Sequence, residues 1–174
     1  MVRHSVAGNP YSDTRIGAFM GKRMINDLRA KQGRTAINYL AELTPEEFAR
    51  DYRAILPDEI NGGEFIAKHK THDDSVTTIQ TGASYRVAGP TTHPVEENDR
   101  VLRFMDALRA GAKGDESALS TAGELMYAAH ASYRDNCHLS VDEVDFLVEA
   151  VRKLGVKKGL YGAKITGGGT GGTV

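Results

Sequence analysis

The sequence predicts an α+β fold in which helices predominate. Apolar residues recur at helical spacing over most of the chain, beginning with a stripe formed by Ile16, Met20 and Met24. Strands are expected in two stretches, 75–88, which is rich in β-branched and aromatic residues, and 159–165. Several long helices combined with a minority of strands are typical of an α+β domain.

The size and charge of the chain indicate one ordinary globular domain. Its 174 residues can bury a core without help from disulfides or a metal ion. Against 22 Lys and Arg residues stand 23 Asp and Glu residues, so there is no basic excess and we expect no nucleic-acid partner. No apolar run is long enough for a membrane span. The first residues do not resemble a signal peptide, and the single cysteine, Cys137, fits a cytoplasmic location.

The first half predicts two clear helices and two short strands. A helix is expected over 13–31, where Gly17 and Gly21 each cost about 1 kcal/mol relative to alanine. We therefore expect close packing of this helix against another element. Thr44 followed by Pro45 is a typical helix start, and that helix should run to residue 56. A short helix is expected at 63–70, and strands on both sides of residues 81–82.

The second half predicts three helices and a final strand. The helices are expected at 94–110, where apolar residues share one side, at 116–134, and at 140–154. Ser140 opens the last with a capping-box pattern, and Gly155 ends it. A strand at 159–165 then leads into a glycine-rich stretch.

Five of the six residues from Gly167 to Gly172 are glycine. Glycine allows positive φ and a close backbone approach, as in a turn beside a ligand. A flexible linker also uses glycine, but the strand-forming residues on both sides favour a structured turn. No helix follows, so the spacing is not that of a dinucleotide-binding motif, and no Walker A sequence is present. Because the chain stops soon afterwards, we expect a fragment of a longer protein.

Other polar residues are expected to have structural roles. His69, His72, Asp73 and Asp74 lie close together, but their spacing fits no standard zinc site, so no metal site is predicted. His130 is expected to be a hydrogen-bonded histidine at a helix contact. Cys137 follows Asp135 and Asn136, and a nearby carboxylate does not favour a reactive thiolate.

Several segments together resemble the GHMP small-molecule kinases, in particular galactokinases and L-arabinokinase-type sugar kinases. Residues 165–173 are similar to the third signature motif of this superfamily, and the likeness extends along the chain in one order. The other matching segments are 3–6, Tyr11 with Arg15, 16–22, 63–87, 92–101, 123–126, His130, 132–134 and 143–148.

The resemblance implies that residues 1–174 form a GHMP kinase C-terminal domain, with helices packed on a mostly antiparallel sheet. It implies an ATP-dependent sugar-1-kinase that phosphorylates the anomeric hydroxyl of a monosaccharide of the L-arabinose or galactose class. The sequence contains no phosphate-cradling Gly/Ser loop of the second family motif. We therefore expect no catalytic residue in this chain, ATP and Mg²⁺ bound mainly by a missing N-terminal domain, and C-terminal strands that are cut off.

The resemblance also assigns candidate site residues. Tyr11 matches the tyrosine that contacts the sugar in galactokinases, although a packed structural tyrosine beside Pro10 is the alternative. Arg3 and Ser5 are expected to flank the active-site cleft. The glycine-rich active-site loop comprises Gly167, Gly168, Gly169, Gly171 and Gly172. The alternative function is a non-catalytic, GHMP-like module that senses sugar or binds a protein, and neither alternative involves a membrane.

Overall fold

The helix-rich architecture appears in a computed structural model, which describes residues 9–171 and 173–174. These residues confirm the α+β class, with one antiparallel pair of strands. No helix among them is both long and apolar enough to cross a membrane. The helices and strands are α1 Asn9–Lys31, α2 Pro45–Glu47, β1 Glu59–Asn61, α3 Gly62–His69, β2 Ser84–Arg86, α4 Ala88–Gly111, α5 Glu116–Asp135 and α6 Asp142–Leu154.

The described residues form two compact units, Asn9–Glu96 and Glu97–Val174. In the first unit the predicted stripe of α1 is confirmed, because Ile16, Met20 and Met24 are buried. The expected close packing is also confirmed. A Cβ at Gly17 would collide with the carbonyl of Arg86, and one at Gly21 with the side chain of Thr91. Glycine thus lets α1 lie directly against β2 and the first turn of α4.

The strand pair differs from the prediction. β1 pairs antiparallel with β2, and Ile60 lies opposite Tyr85. The strand expected before residue 81 does not form, because backbone N–H groups that would pair in a sheet donate hydrogen bonds to side chains instead. Asp74 accepts hydrogen bonds from the backbone of the two residues Val76 and Thr77, and the N–H of Gln80 donates to the hydroxyl of Tyr85.

Two helices of the first unit begin earlier than predicted. α1 begins at Asn9 and α4 at Ala88, with Pro94 inside α4. The first turn of α4 is supported by hydroxyl groups, because Thr91 donates to the carbonyl of Val87 and Thr92 to that of Ala88.

The predicted helix after Thr44 is present as three consecutive helical segments. α2 is followed by a π-helical turn, Phe48–Tyr52, and a 3-10 turn, Arg53–Ile55. The hydroxyl of Thr44 accepts the N–H of Glu47 at 3.1 Å, which confirms the predicted cap.

In the second unit, the apolar side predicted for the C-terminal part of α4 is exposed. Its four residues are Val101, Leu102, Met105 and Leu108. α6 begins at Asp142 after Val141, so the prediction that Ser140 caps it is wrong. The hydroxyl of Ser140 instead donates to Asp145 within the helix.

The strand predicted at 159–165 does not form. Among the described residues, the C-terminal stretch has one isolated bridge, between Thr166 and Thr173. The segment before it packs on α5, where a Cβ at Gly123 would collide with the carbonyl of Tyr161. Packing on a helix therefore replaces pairing in a sheet.

Candidate functional site

Tyr11, the predicted sugar contact, lies in the first turn of α1 with 36% of its surface exposed. Arg15 lies one turn further along the helix. Its Nε and Nη2 atoms donate to the two carboxylate oxygens of Asp74, both at 2.7 Å. This hydrogen bonding raises the pKa of Arg15, and Tyr11 adds a smaller contribution. The predicted contact residue is therefore next to a fixed cation.

Asp74 is the anchor of this arrangement. Its side chain is only 2% exposed, and it also accepts a hydrogen bond from the hydroxyl of Thr77 at 2.6 Å. The hydrogen bond from Arg15 holds the pKa of the Asp74 carboxyl well below its usual range. The carboxylate is consequently ionised at neutral pH and joins the irregular segment 70–83 to α1.

The neighbouring acidic residue makes a second connection to α1. Asp73 contacts the ammonium group of Lys22 at 2.6 Å. Lys22 is buried, donates to the carbonyl of Asn38 and lies 5.0 Å from the ring centre of Phe19. Within residues 9–171 and 173–174, no group of three or more His, Cys, Asp or Glu side chains could hold a metal ion. The two carboxylates serve as ion-pair partners for α1.

The glycine-rich loop lies in the second unit and forms a defined turn. Positive φ values occur at Gly167 (73°), Gly169 (76°) and Gly171 (100°), and also at Thr170 (55°). The turn is closed by the bridge between the threonines on either side. The predicted structured turn with positive φ is therefore confirmed at these positions.

This turn is held by the end of α5 and the residues that follow it. The hydroxyl of Tyr133 donates to the carbonyl of Gly167 at 3.1 Å, and the N–H of Thr170 donates to the carbonyl of Leu139 at 2.7 Å. A Cβ at Gly169 would lie 2.7 Å from the Tyr133 ring. Only glycine allows this close approach with this backbone conformation.

His130 also contacts the residues leading into the turn. It is buried on α5, and its Nδ1 accepts the N–H of Ile165 at 3.4 Å. Its Nε2 lies 3.0 Å from Asp145, although the N–H of the ring is not aligned for a good hydrogen bond. Burial lowers the pKa of His130, and the attraction of Asp145 opposes this only in part. The predicted hydrogen-bonded helix histidine is confirmed.

The candidate residues therefore lie in different parts of the chain. Tyr11 belongs to the first unit, whereas Gly167, Gly168, Gly169 and Gly171 belong to the second. The predictions for Arg3, Ser5 and Gly172 lie outside the described residues.

Sequence reasoning missed the partnership of Asp74 with Arg15, because 59 residues separate them. The only signal in the sequence was that two adjacent carboxylates, Asp73 and Asp74, could pair with two basic residues on one side of the first helix, Arg15 and Lys22.

Comparison with known proteins identifies relatives among sugar kinases. No family model matches the chain. An L-arabinokinase from Arabidopsis thaliana is 36% identical over 204 residues, covering 99% of this chain and 19% of that protein. A galactokinase from Thermotoga maritima is 40% identical over 82 residues, covering 47% of this chain and 21% of its own length. A galactokinase from Haemophilus influenzae is 39% identical, covering 64% of this chain and 28% of its own length.

A solved structure has the same fold. The galactokinase of Lactococcus lactis, in complex with galactose, matches 98% of this chain with a TM-score of 0.60 and 27% identity. The chain covers 33% of that structure and between 19% and 28% of the lengths of the curated relatives named above. The chain is thus homologous to L-arabinokinase and the galactokinases, sugar kinases of the GHMP superfamily, and its fold is that of a galactokinase-like C-terminal domain.

Proposed function

We propose that this chain is the C-terminal part of an ATP-dependent kinase that phosphorylates the anomeric hydroxyl of a monosaccharide. The observation that carries this proposal is the similarity to L-arabinokinase over 99% of the chain. In sequence, the galactokinases of Thermotoga maritima and Haemophilus influenzae match only 47% and 64% of the chain. The extent of the match favours a sugar of the L-arabinose class, with galactose as the alternative.

The reaction determines what such a domain has to contribute. The anomeric oxygen attacks the γ-phosphorus, the bond from this phosphorus to the β–γ bridging oxygen breaks, and ADP leaves while the hydroxyl loses its proton. Catalysis of this step depends on positioning and on neutralisation of phosphate charge. We assign the phosphate-binding loop, the catalytic base and the Mg²⁺ site to the rest of the kinase. No step is assigned to Mg²⁺ on this chain, because its described residues fit no metal ion.

Two parts of the chain would take part in positioning. The phenol of Tyr11 would form a hydrogen bond with a sugar hydroxyl, with Arg15 fixed beside it by Asp74. The glycine-rich turn would let the backbone approach the substrates closely, because three of its four described positive-φ positions are glycine. Neither part supplies an acid or base, so the contribution of this chain is geometric.

The experiment compares two proteins in a coupled ADP-release assay with L-arabinose, galactose and a panel of other monosaccharides. A complete kinase that carries this chain should turn over one of these sugars, and residues 1–174 alone should show no turnover above background. Binding of a sugar by the complete protein without any turnover would refute the kinase proposal and favour a sugar-sensing role. Turnover by residues 1–174 that survives repurification would refute the assignment of the catalytic groups to the rest of the kinase.

A further inference from the structure

The glycine-rich turn is closed by the bridge between Thr166 and Thr173, and two side chains and a carbonyl group attach it to the rest of its unit. The three backbone groups that make these attachments are the N–H of Ile165, directly before the turn, the carbonyl of Gly167 and the N–H of Thr170. The partners are His130, Tyr133 and Leu139. All three partners belong to one continuous piece of chain, the last two turns of α5 and the connection to α6. A change at any of them therefore acts directly on the turn.

His130 differs from the other two partners because its role as an acceptor depends on its protonation. Nδ1 can accept the N–H of Ile165 only when it carries no proton. In the protonated ring both nitrogens are donors, so Nδ1–H would face the N–H of Ile165 and the hydrogen bond would be lost. The hydroxyl of Tyr133 and the carbonyl of Leu139 keep their roles over the same range of pH.

We propose that His130 is a positioning residue that keeps the glycine-rich turn in its closed conformation only while the imidazole ring is neutral. The position of the ring supports this role, since His130 is 3% exposed and sits directly before the turn through Ile165. A groove of 470 Å³ along α5 and α6 is lined in part by His130. The importance of the turn for phosphoryl transfer rests on the proposed function, whereas the anchoring itself does not.

The charges around the ring act on its protonation in opposite directions. From α6, Asp145 faces Nε2, and Ser140 shares that carboxylate. From α5, Arg134 opposes protonation and Asp135 favours it weakly. The same groove is lined by three further charged side chains of α6, namely Asp142, Glu149 and Arg152. In the segment before the turn, Lys164 is directed to Glu97 at 3.3 Å.

Burial outweighs these charges and lowers the pKa of His130. The ring is therefore neutral at pH 7 and becomes protonated only below the ordinary histidine value of about 6.5. When the ring becomes protonated, the hydrogen bond from Ile165 to His130 should be lost, whereas the contacts of the turn with Tyr133 and Leu139 should remain.

The test on residues 1–174 measures the protection of the amides of Ile165 and Thr170 against hydrogen exchange, corrected for intrinsic exchange, from pH 8 down to the acid pH at which the His130 ring has titrated by NMR. Loss of one neutral hydrogen bond should lower protection about two- to tenfold at acid pH. His130→Asn replaces Nδ1 with an amide oxygen that accepts at all pH values, so its protection should not change with pH. His138→Asn is the matched control, because His138 is exposed near the turn at φ 54°, a conformation that asparagine tolerates. This control should keep the wild-type transition.

Two results would overturn the proposal. One is a pH transition in His130→Asn equal to that of the wild type, and the other is loss of the transition in His138→Asn. If His130→Asn does not fold, Tyr133→Phe provides the test. This substitution removes the hydrogen bond to Gly167, so the amides should be less protected against exchange at every pH. The midpoint of the pH transition should stay at the wild-type value. A flat profile in Tyr133→Phe would also refute the anchoring by His130.

The kinase assay separates this inference from the proposed function. In the complete kinase, kcat for the sugar should decrease at acid pH as the His130 ring becomes protonated. His138→Asn should show the same decrease, and His130→Asn should not. If the exchange transition follows His130 but kcat does not, the anchor is real and the proposed role of the turn in catalysis is wrong. If the exchange transition is absent, the inference fails whatever the kinase does.

Discussion

The ion pair between Arg15 and Asp74 allows a quantitative test of how the first turn of α1 is held. We consider Asp74→Ala, Arg15→Ala and the double variant. Asp74→Ala also removes the hydrogen bonds to Val76 and Thr77, but that loss is common to both arms of a double-mutant cycle and cancels. The cycle therefore reports the pair alone.

The geometry sets the expected size of the coupling. Two hydrogen bonds of 2.7 Å join the groups, and bonds to charged groups contribute about 1.5–3 kcal/mol each when they are well buried. Asp74 is 2% exposed, but Arg15 is 34% exposed, so solvent reduces the total. We expect a coupling of about 2 kcal/mol. The pair Glu64–Lys68 is exposed at both ends and should give about 0.3–0.5 kcal/mol in a matched cycle.

Urea unfolding at pH 7, followed by circular dichroism, measures both cycles. A coupling for Arg15 and Asp74 no larger than that for Glu64 and Lys68 would refute the reasoning. The pH dependence gives an independent check. Because the folded protein lowers the pKa of Asp74, the unfolded state binds more protons in acid. The stability from the pair is present above pH 3.8, the unperturbed value, and is lost as the pH falls below it. Asp74→Ala should lack this part of the acid slope.

Two further substitutions test the candidate sites. In the complete kinase, Tyr11→Phe should raise KM for the sugar about two- to tenfold and leave KM for ATP unchanged, because one hydrogen bond of about 0.5–1.5 kcal/mol is lost. A lower melting temperature together with wild-type sugar kinetics would instead show that Tyr11 is a structural residue. Gly169→Ala should destabilise residues 1–174 by at least about 2 kcal/mol in urea, since strain at positive φ adds to a clash with Tyr133 and Leu139. Gly33→Ala, also at positive φ but with open space around it, should cost only about 1–2 kcal/mol, and equal losses at the two positions would contradict the packing argument.

The helices could be predicted because their signals are local. The stripe of α1 and the cap at Thr44 involve residues within a few positions of each other, and both are confirmed. The two missing strands could not be recognised in this way. Residues before 81 have strand-forming side chains, but Asp74 takes two of their amides. Residues 159–165 pack on Gly123, which lies far away in sequence.

The same distinction applies to the candidate sites. The positive φ values at Gly167, Gly169 and Gly171 could be predicted, because glycine adopts this conformation readily, whereas the one at Thr170 could not. Tyr11 was identified only through the resemblance to a family. What holds each site could not be predicted, since Asp74 is 59 residues from Arg15 and Ile165 is 35 residues from His130. No periodicity or spacing rule connects such pairs.

Both candidate sites depend on polar contacts to segments without regular structure. The segment around Asp74 is tied to α1 by ion pairs from Arg15 and Lys22, and the glycine-rich turn is tied to α5 through His130 and Tyr133. Contacts of this kind contribute little burial of apolar surface, but they are directional, so they fix geometry more than they add stability. Single substitutions at these contacts should therefore change the position of the segment before they unfold the helices. For a domain whose proposed contribution to catalysis is geometric, this makes the anchoring residues as important to activity as the residues that touch the substrate.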